Sequence, residues 1–199
     1  MQRVWRNTII SNLKHLKKWN RAMKERILTS AEIAQDVTSF SIPDGTTSIE
    51  AMAFLNCKCL TSLEIPDSVI SIGDWAFWDC TGLTSVTIPN SVKSIGDGAF
   101  DSCTSLTSVT IPNSVTRIGE STFAYCTGLT SAMIPDSVMT IGERAFWACD
   151  GLKSITIPNS VMSIGRKVFD GCPNLTIRTP KGSYAERWAI ENQIKVETF

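Results

Sequence analysis

Apolar and polar residues recur along most of the chain with a fixed spacing of 23 residues. An Ile-Pro pair marks each recurrence: Ile42-Pro43, Ile65-Pro66, Ile88-Pro89, Ile111-Pro112, Ile134-Pro135 and Ile157-Pro158. Two other columns keep the same step, one of phenylalanine and one of cysteine: Phe54, Phe77, Phe100, Phe123, Phe146 and Phe169; Cys57, Cys80, Cys103, Cys126, Cys149 and Cys172. Columns that recur together at one period are the signature of a repeat architecture.

The first half of each unit has the pattern of a β-strand. In the segment 85–88, Val86 and Ile88 alternate with Ser85 and Thr87, which is typical of a strand with one buried face. A following Pro-Asn or Pro-Asp pair closes the strand and turns the chain, because proline has no N–H for the sheet.

The second half of each unit predicts another extended piece and then a turn. Val92 to Ile95 is expected to be extended and to bury its two ends. Gly96 follows at a position where we expect either a positive φ or a close approach of two backbones. Ala99-Phe100 then predicts a short helical turn that leads to Cys103.

A single unit does not bury enough apolar surface to fold alone. Its six large apolar side chains contribute roughly 9 to 18 kcal/mol, whereas ordering 23 residues costs roughly 35 kcal/mol. Stacked units share backbone hydrogen bonds and cover each other's apolar faces. The sequence therefore predicts a solenoid of parallel strands about 4.8 Å apart.

The complete motif, L-x-x-V-x-I-P-x-S-V-x-x-I-G-x-x-A-F-x-x-C-x-x, resembles the BspA-type leucine-rich repeats over roughly residues 37–180. Residues 179–186 are similar to the usual C-terminal closure of that family. The resemblance implies a leucine-rich-repeat solenoid with short parallel β-strands and short helical turns. It also implies ligand or protein binding, often at bacterial or protist surfaces, and it brings no catalytic residue to this chain.

The sequence divides into three predicted segments. Residues 1–36 form a basic amphipathic helical segment, residues 37–180 a solenoid of about six units, and residues 181–199 a C-terminal cap. In the cap, Ser183 and Glu186 form an S-x-x-E capping box that predicts a helix from Tyr184 to about residue 192. We expect Trp188 and Ile190 to cover the last layer of the core.

The N-terminal segment places apolar residues at helical spacing between residues 7 and 28: Ile9, Leu13, Leu16, Met23 and Ile27. The other face of this predicted helix is basic: Lys14, Lys17, Lys18, Arg21 and Lys24. Such a helix has three possible roles, which are to cap the first core layer, to bind another helix or its own copy, or to lie on an anionic membrane or nucleic acid. The segment lacks the long apolar run of a secretory signal.

Charge and composition narrow the class of protein. The whole chain has 19 basic and 19 acidic residues, but residues 1–36 carry a net +5 and the remainder a net −5. A hydrophobic content of 43% with 19% charged residues excludes a disordered chain. No stretch approaches the 18 apolar residues of a membrane span, so we expect a soluble, globular protein.

The cysteines favour a structural role. Six of the seven occupy one repeat column, where we expect inward-facing free thiols whose Cβ atoms are too far apart for disulfides. Cys57 and Cys59 form the only close pair, with no histidine near enough to complete a metal site. We expect no metal and no cofactor, and Cys59 alone is a candidate reactive thiol.

The sequence favours a protein without catalytic activity. The single histidine, His15, lies in the basic segment and is interpreted as a solvated helix residue. Gly96-x-Gly98 lacks the third glycine of a nucleotide-binding loop. Four carboxylates share one column and are expected to be solvated edge charges: Asp74, Asp97, Glu120 and Glu143.

Two outward surfaces remain as candidates for recognition. The strand face is small, polar and nearly uncharged, as in Ser85 and Thr87 or Ser108 and Thr110. The edge formed by the turns instead carries four candidate partner-binding residues: Trp75, Trp78, Tyr125 and Trp147. Tryptophan and tyrosine are enriched in interface hot spots, so these four form either a docking ridge or a shield over the phenylalanine columns.

These features predict a non-enzymatic scaffold that binds a protein, or less readily a glycan or other surface ligand. The alternatives are a structural, self-assembling protein, or association with a membrane or nucleic acid through the basic helix. Unpaired thiols favour the cytoplasm or an anaerobic surface. The single sequon Asn174-Leu175-Thr176 is instead typical of a secreted protein, and the family resemblance implies a cell-surface role in adhesion. The ligand and the oligomeric state stay open.

Overall fold

The computed structural model describes residues 36–199 and the strand β1 (Ile27–Leu28). The chain winds into stacked coils, and each 23-residue coil contributes a long strand, a short strand and a turn. The long strands are β2 (Ser39–Ser41), β4 (Ser62–Glu64), β6 (Ser85–Thr87), β8 (Ser108–Thr110), β10 (Ser131–Met133), β12 (Ser154–Thr156) and β14 (Thr176–Thr179). The short strands are β3 (Ser48–Ile49), β5 (Ser71–Ile72), β7 (Ser94–Ile95), β9 (Arg117–Ile118), β11 (Thr140–Ile141) and β13 (Ser163–Ile164).

The coils stack in parallel and in register with the repeat. Ser85 pairs with Ser108 and Val86 with Val109, so equivalent residues of successive units are neighbours. In the strand β6 the middle residue Val86 is buried, while Ser85 and Thr87 are exposed. The predicted parallel solenoid, with its alternating strand, is therefore confirmed.

One continuous core runs along the stack because each apolar column points inward. The rings of Phe77 and Phe100 are stacked with centroids 5.0 Å apart, and those of Phe100 and Phe123 with centroids 5.6 Å apart. All three side chains are fully buried. A single unit has no such neighbours, so the packing exists only in the array.

The turn that follows Gly96 is shaped by close backbone approach and by left-handed residues. A Cβ at Gly96 would lie 2.4 Å from the backbone nitrogen of Asp74, which explains the glycine. The segment predicted as a short helical turn is a run of hydrogen-bonded turns, in which two residues of most coils have positive φ, such as Trp75 and Asp79. These residues direct alternate N–H groups toward the next coil, as from Phe77 to the carbonyl of Ala99 at 2.8 Å.

The N-terminal end differs from the prediction in one respect. The amphipathic helix was expected to extend to Leu28, but Ile27 and Leu28 form the strand β1, which pairs in parallel with Ser48 and Ile49. Strand pairing here gives hydrogen-bond partners to the backbone at the open edge of the first coil. The rest of the predicted helix and its basic face lie outside the described residues.

The C-terminal end is closed by the helix α1 (Tyr184–Glu191) and by the strand β15 (Lys195–Thr198). Ser183 caps the helix as predicted, because its Oγ accepts the N–H of Glu186 at 3.1 Å. Trp188 packs edge-on against Phe169 as expected, with centroids 5.9 Å apart. The role expected for Ile190 is wrong, since this side chain is exposed and the buried helix residues are Ala185 and Ala189.

The strand β15 was not predicted from the sequence. It returns from the helix and pairs in parallel with β14, with Ile177 opposite Val196. The final coil thus ends on a strand that lies outside the 23-residue repeat.

Candidate binding surface

The two outward faces of the solenoid have different chemistry. On the strand face, β6, β8 and β12 each present a serine and a threonine that are exposed or half-buried. Other residues occupy the threonine position elsewhere: Glu64 in β4, Arg178 in β14 and Met133 in β10, which is 69% exposed. Apart from Met133, the outward residues of these strands are mostly short hydroxyl side chains, with Glu64 and Arg178 as charged positions, and they offer little apolar area.

The second outward face is the turn ridge, which we define as the outward residues of the turns in the second to fifth coils. Successive coils contribute one residue each to three columns. The first column holds Trp75, Gly98, Ser121 and Arg144; the second, Trp78, Asp101, Ala124 and Trp147; the third, Asp79, Ser102, Tyr125 and Ala148. The four predicted partner-binding residues all lie on this ridge.

Trp75 is part of the ridge and also supports the turn beside it. A Cβ placed at Gly98 would lie 2.3 Å from Cδ1 of Trp75, so the indole covers the glycine of the next coil. Gly98 has a φ of +63° and is buried beneath this ring. This role of Gly98 was not predicted from the sequence, in which the available signal was its position 23 residues after Trp75.

Tyr125 and Trp147 form a second aromatic group two to three coils further along. Their rings meet edge-to-face with centroids 4.7 Å apart. The guanidinium carbon of Arg144 lies 5.9 Å from the centre of the Trp147 ring, and Arg144 also pairs with Glu143 at 3.5 Å. This end of the ridge therefore already holds a cation against an indole face.

The aromatic residues are two groups rather than a continuous row, because the third coil separates them. That coil presents the carboxylate of Asp101, whose Oδ1 accepts the hydroxyl of Ser102 at 2.8 Å. Burial raises the pKa of Asp101, the bond from Ser102 acts in the opposite direction, and the charge of Asp79 raises it further. Asp79 is itself paired with Lys58 at 2.9 Å.

The exposure of the aromatic residues fits both interpretations of the ridge. Trp75, Trp78 and Tyr125 each keep about 40% of their surface exposed, while Trp147 is half-buried. Each ring thus shields part of the turn beneath it and leaves a broad apolar area in contact with water.

The column of carboxylates has a structural explanation. Oδ1 of Asp74 accepts the backbone N–H of Asp97 at 2.9 Å. Oδ1 of Asp97 in turn accepts the N–H of Glu120 at 2.8 Å and pairs with Arg117 at 3.1 Å. Asp74, Asp97 and Arg117 line a polar groove of about 440 Å³, in which the carboxylates of Asp74 and Asp97 bind successive coils to each other.

The cysteine column lies inside the core as predicted. The thiol of Cys103 donates to the carbonyl of Phe77 at 3.3 Å, and that of Cys80 to the carbonyl of Phe54 at 3.1 Å. Burial raises the pKa of Cys80 to about 12. All seven thiols are free, and Cys59 is exposed.

Within residues 36–199, no group of three histidine, cysteine, aspartate or glutamate side chains is arranged to hold a metal ion. His15 lies outside the described residues. The described part of the chain also contains no helix with the length and apolar content needed to cross a membrane.

Comparison with known proteins places these features in a family. The family model described as the BspA type leucine rich repeat region matches six copies of the unit, over residues 32–150 and 116–191. The chain belongs to the BspA-type leucine-rich repeat family. No curated protein matches the sequence significantly.

Solved structures of other leucine-rich repeat proteins share the fold. The leucine-rich repeat protein of T. pallidum is 27% identical with a TM-score of 0.66, over 83% of this chain and 87% of that one. A leucine-rich repeat protein from Bacteroides ovatus is 28% identical with a TM-score of 0.54, over 82% of this chain and 54% of that one. The pneumococcal vaccine antigen PcpA, 16% identical with a TM-score of 0.56 over 84% of this chain and 45% of that one, shares the fold alone.

Within this leucine-rich repeat chain, Met133 also lines an apolar groove that was not predicted from the sequence. The groove has a volume of about 650 Å³ and is lined in part by Met133, Pro135, Pro158 and Phe199. Its prolines belong to the repeat column, and Phe199 follows the unpredicted strand β15. Because Phe199 lies outside the repeat, the repeat pattern alone did not reveal the groove.

Proposed function

We propose that this chain is a non-enzymatic recognition scaffold that binds a protein partner through the turn ridge. Leucine-rich repeat solenoids of this family are typically binding scaffolds, which is the general function supported here. The observation that carries the specific proposal is the exposed aromatic area of Trp78 and Tyr125 on a rigid turn.

The rigidity of the ridge favours tight binding. Each turn is held to the next coil by backbone hydrogen bonds, such as that from Trp75 to the carbonyl of Asp97 at 2.9 Å. The phenylalanine column fixes the same turns from the inside. A partner that docks on this surface orders few side chains, so the loss of conformational entropy on binding is small.

The aromatic groups match the residue types that dominate interface energetics. Tryptophan and tyrosine bury large areas with few rotatable bonds and supply most hot spots. The strand face offers hydroxyl groups that are well hydrated before binding, and hydrogen bonds exchanged with water give little net affinity. The ridge is therefore the favoured surface for a protein.

The experiment compares two double variants in capture of partners from the source cells. We expect Trp78→Ala with Trp147→Ala to abolish capture of the partner that the wild-type chain retains, with only a small change in thermal unfolding. The control, Met133→Ala with Met162→Ala, removes two exposed apolar side chains outside the ridge and is expected to capture normally.

Two outcomes contradict the proposal. Normal capture by the tryptophan variant would exclude the ridge as the binding surface. Loss of folding in that variant would mean that the aromatic residues serve mainly as a shield. Trp75 is left unchanged because its indole packs on Gly98.

The main alternatives concern assembly and the basic segment. Self-association would appear as a concentration-dependent mass in light scattering, whereas a scaffold without assembly stays monomeric. Binding of residues 1–36 to a membrane or nucleic acid would be lost steeply between low and physiological salt.

A further inference from the structure

Asp101 lies on the turn ridge between the two aromatic groups, and no cationic side chain of residues 36–199 pairs with it. Among the ion pairs of residues 36–199, the neighbouring Asp79 is neutralised by Lys58, and none includes Asp101. Its carboxylate is half-buried and receives one side-chain hydrogen bond, from Ser102. A carboxylate oxygen that has lost part of its hydration gains most from a charged donor.

Aromatic side chains flank this carboxylate along the stack. Trp78 occupies the same column one coil before Asp101, at a spacing of about 4.8 Å. Trp75 covers Gly98, whose carbonyl accepts the N–H of Asp101 at 3.0 Å. A cation paired with Asp101 would therefore have indole rings in the neighbouring coil as further partners, since cation–π attraction extends to about 6 Å from a ring centre.

On the C-terminal side of Asp101, the next coil presents no large side chain in the same column. The next residue in its column is the buried Ala124, and beyond it lie Tyr125 and Trp147. The Trp147 face already carries the guanidinium of Arg144, whereas among the described residues no cation lies over Trp78. A cation–π contact is thus present at Trp147. At the other end of the ridge, the carboxylate of Asp101 and the indoles of Trp75 and Trp78 are available to a ligand.

We propose that the ridge binds a polypeptide partner through a cationic side chain, arginine or lysine, that pairs with Asp101 between Trp78 and Tyr125. The proposal rests on the proposed function of the ridge and specifies the chemistry of the partner. Arginine fits better than lysine, since its planar guanidinium pairs with a carboxylate through two hydrogen bonds and stacks on an indole. The net −5 of the chain outside residues 1–36 favours the approach of a basic segment.

The test uses two short peptides as probes with the full-length, isotope-labelled protein. One is acetyl-Gly-Arg-Gly-amide, and the other contains citrulline, which has the shape of arginine without its charge. We expect the arginine peptide to shift the indole N–H signal of Trp78 and the amide signal of Ser102 in NMR spectra. The citrulline peptide should bind at least about tenfold more weakly, because truncating or neutralising one partner of a charge pair removes this much affinity.

Asp101→Asn should reduce the affinity for the arginine peptide by at least about tenfold. The matched control Asp67→Asn removes a charge from an exposed carboxylate outside the ridge and should change the affinity less than about twofold. Asp101→Ala serves as a second variant, because alanine already occupies this column at Ala124 and is compatible with the turn. Equal binding of both peptides, absence of shifts on the ridge, or full binding by both Asp101 variants would overturn the proposal.

The capture experiment separates this proposal from the function on which it rests. If Trp78→Ala with Trp147→Ala loses the partner but Asp101→Asn retains it, the ridge is the binding surface and the cationic contact is wrong. If the tryptophan variant retains the partner, the function of the ridge fails and the cationic contact fails with it.

Discussion

The interior columns and the turn ridge are adjacent in the sequence, yet the interior residues stay the same from coil to coil whereas the ridge residues change. Inside, the same residue recurs: Phe77, Phe100 and Phe123 stack with nearly parallel rings. On the ridge, the column that follows phenylalanine changes from Trp78 to Asp101 to Ala124. Repetition is required where coils pack on each other, and positions without that constraint are free to serve recognition. The comparison predicts that stability depends on the interior and binding on the ridge.

The largest effect on stability is expected from the centre of the phenylalanine column. Phe100→Ala removes a fully buried ring that is stacked on both sides, and should lower the free energy of unfolding by about 3 to 5 kcal/mol. Phe100→Leu keeps most of the volume and should cost less. Urea unfolding followed by circular dichroism measures both, and a loss below about 1 kcal/mol for the alanine variant would break the comparison.

A smaller effect is expected where two coils approach most closely. Gly96→Ala places a methyl group against the backbone of Asp74 and should cost about 1 to 3 kcal/mol. The control Ser94→Ala changes an exposed side chain two residues away and should stay within about 0.5 kcal/mol. Equal stability of the two variants would show that the coils can separate at this point.

The buried thiols predict a loss of stability at alkaline pH. The pKa of Cys80 rises from 9.0 to about 12 on folding because of burial, so the unfolded chain loses this proton first as the pH rises. The stabilising contribution is complete below about pH 9 and is lost between pH 9 and 12, at up to about 1.4 kcal/mol per pH unit.

Urea unfolding of the reduced protein at several pH values measures this slope. Cys80→Ala removes one of the ionising thiols, so the free energy of unfolding of this variant should fall less steeply with pH than that of the wild-type chain. The two curves are compared after each is referred to its own stability at pH 7. An unchanged slope would mean that Cys80 ionises in the folded chain as readily as in the unfolded one.

The smallest expected change is an increase in stability at Thr122, a buried polar residue in an otherwise apolar column of the core. Thr122 occupies a column that holds alanine or valine in the other coils, and its buried hydroxyl has no hydrogen-bond partner among residues 36–199. Thr122→Val replaces the hydroxyl by a methyl group of similar size and should stabilise the protein by about 1 kcal/mol. Thr122→Ser retains the hydroxyl and should give no gain, so stabilisation by serine would contradict this explanation.

The repeat explains which parts of the fold could be predicted from the sequence. A column such as that of Cys103 is defined by six occurrences at one spacing, and its inward position follows from the packing of equal coils. The strand β15 occurs once and has no periodic signal. Ile190 was assigned to the core from its apolar character, but the turn of the helix directs Ala185 and Ala189 inward instead.

The candidate site was only partly accessible to sequence reasoning. The aromatic residues on the turn edge were visible as departures from the repeat. The left-handed turns that present these residues, as at Trp75 and Asp79, were not indicated by any local pattern. The position of Asp101 between the groups follows only when successive turns are stacked.

The central claim, that recognition occurs on the ridge, is tested most directly by photo-crosslinking. Benzoylphenylalanine is introduced at Tyr125 on the ridge or at Met133 on the strand face, two exposed positions in adjacent coils. The account predicts that the position of Tyr125 crosslinks to the captured partner and that the position of Met133 does not. Crosslinking from Met133 alone would place the partner on the strand face and contradict the account.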